Sequence, residues 1–148
     1  MGINKFTLYV ITIVRIIVGL SWLQQGMFKF QAHFNIQGLV NTIANGSDSP
    51  MWYQEFFEHV VSNNIALFNL LIPAGEIAVG LGLIFGVLIR GAILGACLML
   101  INFWLSNMIY IYPFLLVGSI ILLNWYPQTL SYTLWTALDK LNIRERMT

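Results

Sequence analysis

The chain has 148 residues, of which 58% are hydrophobic and only 9% charged, with a formal net charge of +1. A soluble domain carries about 25% charged residues, so the shortfall points to a small integral membrane protein. The near-neutral balance gives no nucleic-acid footprint, and a single cysteine, Cys97, excludes an internal disulfide and a C-x-x-C dithiol oxidase.

The first apolar run, residues 6–27, is interrupted by Arg15 and is followed by no A-x-A-like cleavage site. It therefore reads as a retained helix rather than a signal peptide. Along it Arg15, Gly19, Trp22, Gly26 and Lys29 recur at alternating spacings of four and three. That spacing puts them on one helical face, which should point at protein or a cavity and not at lipid.

The following loop, residues 28–64, carries its own periodicity. Phe34, Ile36, Leu39, Val40 and Ile43 repeat at helical spacing, as do Trp52, Phe56 and Val60, and Tyr53, Phe57 and Val61. Residues 44–50 read as a turn between them, with Ser49 a candidate cap before Pro50. Two short amphipathic helices at the outer mouth of a bundle are expected. His33 and His59 both fall in this loop. Haem ligation would want histidines within the spans, and no Cys/His/carboxylate cluster has metal spacing, so neither haem nor metal is expected.

Three further apolar runs, residues 65–85, 91–107 and 109–125, complete the set. Each of the four has roughly 17–22 residues, against about 20 needed to cross a bilayer as a helix. The expected fold is all-α, a four-helix transmembrane bundle forming one domain over residues 1–148, with an interfacial helix in the tail 126–148. On the second run Ala74, Ala78, Gly82 and Gly86 form a small-residue stripe that Gly91 and Gly95 of the third can match. Glu76 and Gly80 lie on the opposite side, toward the first helix.

Basic residues set the orientation. With both termini cytoplasmic, Lys5, Arg90, Lys140, Arg144 and Arg146 are inside and only Lys29 is outside, a positive-inside bias of about five to one. Trp104, Tyr110 and Tyr112 then mark the outer interface, and Trp125 and Tyr126 the inner one.

Arg15 and Glu76 are each about nine residues from the cytoplasmic end of their runs, which puts both roughly 13–14 Å deep. The expectation is that they meet in the dry centre, with Asn102 beside them, and that the cluster opens outward toward Trp22, Gln25 and Lys29. Two readings stay open: a structural clamp between helices, or a ligand site where Glu76 handles a proton and Arg15 or Lys29 holds an oxygen.

Several stretches are similar to the DoxX/DoxD family of small membrane proteins. Arg15-Ile-Ile-Val-Gly19-Leu-Ser-Trp22 with Gly26-Met-Phe-Lys29 resembles its opening helix, and Pro50-Met-Trp52-Tyr53-Gln-Glu-Phe56 its DoxD outer-loop signature. Gly75-Glu76-Ile-Ala-Val-Gly80-Leu-Gly82-Leu-Ile-Phe-Gly86, then Arg90-Gly91, looks like the second-helix motif. The DoxD branch includes the small membrane subunit of thiosulfate:quinone oxidoreductase. The resemblance implies an inner-membrane component of a quinone-linked oxidoreductase with quinone as cofactor. It also implies a soluble or membrane partner subunit and allows a homo-oligomer. Glu76 and Arg15 would be catalytic, and Lys29, Trp22, Gln25, Trp52 and Asn102 would bind substrate or quinone, Trp22 and Trp52 flanking the ring. The rival readings are a non-enzymatic membrane scaffold or accessory subunit, and a small-solute carrier.

Overall fold

Asn4 opens the first helix by accepting a hydrogen bond from the Phe6 amide on its side-chain oxygen, and α1 then runs over Lys5–Gln31. A computed structural model of the chain describes residues 4–108, 111–133 and 136. Ile109, Tyr110 and the basic tail residues Lys140, Arg144 and Arg146 lie outside the described residues. After α1 come α2 (Gln37–Asn45), α3 (Met51–Phe56), α4 (Ile65–Phe85), α5 (Ile89–Leu105), α6 (Tyr112–Asn124) and the short α7 (Tyr126–Thr129). The described residues contain no strand.

Helices α1, α4, α5 and α6 form the four-helix bundle. They pack antiparallel in the pairs α1–α4, α4–α5, α5–α6 and α1–α6. Two of the long helices suit a bilayer by length: α1 spans about 40 Å and α4 about 32 Å, against a hydrocarbon core of ~30 Å. The other two, α5 and α6, are shorter. The expected face on α1 is buried in full, with Arg15, Gly19, Trp22, Gly26 and Lys29 all inside.

Small residues set how closely the helices approach. A methyl group placed on Gly80 would lie 2.6 Å from the Leu23 amide nitrogen and 2.8 Å from the Gly19 carbonyl, and one on Gly26 would lie 2.8 Å from the Pro73 carbonyl. The backbones of α1 and α4 are therefore in near contact along two turns. On the other flank of α4, Gly82 meets Ala92, Val79 meets Gly95 and Gly75 meets Met99, a constant register for the α4–α5 hairpin. The small-residue stripe expected there is thus partly used. Gly91 itself makes no close contact and borders a groove between α4 and α5 with Ala78 and Gly82.

The loop helices fold over the end of the bundle where α1 and α4 connect. Ile36, Val40, Ile43, Tyr53, Phe57 and Val61 form a second apolar cluster against Phe68, Ile72 and Leu105. The turn after Asn45 lies where the sequence puts it, but Ser49 does not cap α3. Pro50 holds the cap position, and the Ser49 hydroxyl donates to the Leu105 carbonyl at 2.7 Å. A π-helical turn (Phe57–Val61) and a 3-10 turn (Ser62–Asn64) then carry α3 into α4. Beyond α6 the chain folds back along the opposite end of α1, where Tyr132 stacks on Tyr9 at 5.2 Å. The interfacial tail helix expected over 126–148 is described only as α7; residues 134, 135 and 137–148 lie outside the described residues.

Candidate functional site

The partner of Glu76 is Lys29, not Arg15. The Lys29 ammonium donates to Glu76 Oε1 in a buried ion pair, and at 3.1 Å to the Tyr112 hydroxyl oxygen. The expected Arg15–Glu76 pair is not formed. Arg15 instead donates to the Thr129 carbonyl at 3.3 Å and the Tyr132 carbonyl at 3.0 Å, at the other end of the bundle.

The reason is helix register. Counting residues inward from each run placed Arg15 and Glu76 at one depth, but the two helices do not end at the same height. The contacts of Gly19 with Gly80 and Ile84, and of Gly26 with Pro73 and Ile77, set Arg15 level with Gly86, just past the end of α4. Gly86 has φ 70°, in the left-handed region that favours glycine, and a side chain there would strike Arg15 Nη1. Arg15 and Lys29 are consequently about 21 Å apart along α1.

Side-chain direction explains why Lys29 reaches Glu76. Helical side chains lean toward the N-terminal end of their own helix. In an antiparallel pair, Lys29 leans inward from the loop end and Glu76 leans outward to meet it. Burial is then complete: Glu76 is 0% exposed. An isolated charge could not persist there, and pairing is what permits it.

Aromatic rings wall the pair. Lys29 Nζ lies 5.0 Å from the centre of the Phe103 ring and 5.7 Å from that of Tyr112. Phe103 stacks on Tyr112 at 4.3 Å and on Trp22 at 6.4 Å. Three polar functions in this cluster are unused. Glu76 Oε2 and Trp22 Nε1 are buried with no hydrogen-bond partner among the described residues. The Tyr112 hydroxyl accepts from Lys29, and its own proton meets no acceptor among the described residues. A neutralised ion pair, a spare phenol proton and a spare carboxylate oxygen thus put hydrogen-bond donors and an acceptor in one buried cluster.

The remaining expected site residues are scattered. Asn102 turns its amide to the Leu98 carbonyl and, with Ser106, receives the Tyr53 hydroxyl, so it anchors α3 on α5. Gln25 lines a shallow groove on α1 with Leu23 and Phe28. Trp52 is 60% exposed and meets Tyr53 edge-on at 5.4 Å, so it does not share a space with the buried Trp22. Tyr112 and Phe103 were missed as site residues. Tyr112 reads in sequence as an interfacial aromatic, and only the fold brings its hydroxyl to Lys29.

The family profile described as DoxX matches residues 10–108, which takes in most of α1, the loop helices, α4 and α5. Neither the curated proteins nor the solved structures give a match. The matched stretch carries both partners of the buried pair and all the glycines that bring α1 against α4. This is a membrane protein, and the chain belongs to the DoxX family.

Proposed function

We propose that this chain is a multi-pass component of the cytoplasmic membrane and belongs to a quinone-linked oxidoreductase, with Lys29, Glu76 and Tyr112 receiving the quinone head. The observation that supports the reading most is the buried Lys29–Glu76 pair with its three unused polar functions, set against stacked aromatic rings. A quinone is flat, uncharged and oxygen-tipped. Its ring suits the Phe103–Tyr112 wall, and its carbonyl oxygen suits the spare Tyr112 proton and the Lys29 ammonium.

Two electrons and two protons convert a quinone to a hydroquinone. Negative charge builds on the quinone oxygens as electrons arrive, and donors fixed in a dry site stabilise that charge far better than water does. Tyr112 and Lys29 are those donors, and Glu76, ionised in the pair, relays a proton only after Oε2 has first taken one up. The electrons come from a partner subunit or from a reduced sulfur anion such as thiosulfate, as the DoxD resemblance suggests. Arg15 takes no part in this chemistry.

The test is what co-purifies. Detergent-solubilised protein is expected to carry extractable quinone, and to reduce decylubiquinone when a thiosulfate-type donor and its partner are supplied. Single substitutions leave an unpaired buried group, so the informative variant is Lys29→Met with Glu76→Leu, which keeps the core filled. It should retain its helical content and lose the quinone. Undiminished quinone in that folded variant would overturn the proposal. A scaffold whose ion pair only clamps α1 to α4, favoured by the near contact at Gly80, predicts no quinone in the wild-type protein either.

A further inference from the structure

Tyr112 belongs to two places at once. Its hydroxyl meets Lys29, while its ring lines an apolar groove of about 160 Å³ together with Leu100, Trp104, Met108, Pro113 and Leu116. From this shared residue we infer that the α5–α6 groove is the lateral berth of the quinone's isoprenoid tail, an inference that rests on the function proposed above.

On α5 the loop end is tied down by hydrogen bonds. The Ser49 hydroxyl holds the Leu105 carbonyl, and the Tyr53 hydroxyl holds the Asn102 carbonyl at 3.1 Å and the Ser106 hydroxyl at 2.9 Å. These bonds pin the loop helices onto the end of α5, above the ion pair. The groove opens on the outer flank of the bundle, where Trp104 is 71% and Leu116 37% exposed. A ligand reaching Lys29 from that side comes from the bilayer.

Charge selects among lipids. A phospholipid brings a phosphate, and the ammonium nearest the groove is already neutralised by Glu76. The groove therefore favours an amphiphile with a neutral, hydrogen-bond-accepting head and a wholly apolar remainder. The head sits at Tyr112, and the chain lies along Met108, Trp104 and Leu116. Of membrane amphiphiles, a prenylated quinone has that form.

The test narrows the groove without touching the ion pair. Purified protein in detergent is titrated with decylubiquinone and with ubiquinone-0, which shares the head and lacks the tail. Leu116→Trp fills the groove, and Leu123→Trp, on the exposed face of α6, is the control. Leu116→Trp should weaken decylubiquinone about tenfold, what burying roughly two methylene groups is worth, and leave ubiquinone-0 within about twofold. The control should change neither. Equal weakening of both quinones, or of neither, would remove the tail from this groove while the head site stands. Loss of co-purified phospholipid with unchanged quinone binding would assign the groove to ordinary lipid. A wild-type protein that binds neither quinone overturns the head site and the groove together.

Discussion

Removing Lys29 alone would leave the Glu76 carboxylate in a dry core with neither oxygen paired, since Oε2 already lacks a partner. Breaking one half of a buried pair costs about 3–5 kcal/mol, because the remaining charge keeps its desolvation penalty. Tyr112→Phe is milder. It deletes one hydrogen bond to a charged donor, worth roughly 1.5–3 kcal/mol, and keeps the stack on Phe103. Thermal unfolding in detergent should therefore rank Lys29→Met well below Tyr112→Phe, with wild type highest. The same ranking separates this site from a solvated surface pair, whose loss costs about 0–1 kcal/mol. Equal melting temperatures for Lys29→Met and wild type would mean that the pair is hydrated and the core around it is not dry.

The α1–α4 contact is governed by the absence of side chains at Gly19, Gly26 and Gly80. At Gly80 the nearest atoms are backbone, which cannot step aside as a flexible side chain can. Gly80→Ala should force the two helices apart, cost roughly 1–3 kcal/mol, and pull Glu76 away from Lys29. Gly38→Ala on the exposed face of α2 meets nothing within 4 Å and should be neutral or stabilising by up to ~1 kcal/mol. Thermal shifts of the two variants check the contrast. An alanine tolerated at Gly80 would contradict the packing. The buried face of α1 was legible in the sequence because glycines and cations at helical spacing leave few alternatives. The choice of partner was not legible. Depth counted from the ends of apolar runs assumes that the helices end together, whereas α1 begins well below the last residue of α4. Lys29 lay just past the apolar run, so the sequence placed it at the edge of the site, and the continuation of α1 to Gln31 moves it to the centre. The wall of Phe103 and Tyr112 depends on contacts between α5 and α6 that no local pattern encodes.

Charge is distributed unevenly over the whole molecule, and the structure sharpens the asymmetry. The loop end has one basic residue that counts toward orientation, Lys29, and it is withdrawn into the core and cancelled by Glu76. What that end shows to solvent is acidic: Asp48, Glu55 and Glu58 are exposed. At the opposite end Lys5 and Arg90 are exposed, Arg90 lying over the Tyr126 ring at 4.5 Å. Cationic ends are retained on the cytoplasmic side, and acidic residues count for little in that choice. The loop helices should therefore lie outside the cytoplasm, and the α4–α5 turn inside. In a Cys97→Ala background, a cysteine at Glu58 should react with a membrane-impermeant maleimide on intact cells. A cysteine at Arg90 should react only after the membrane is opened. The reverse pattern would invert the molecule and put the loop helices on the cytoplasmic side.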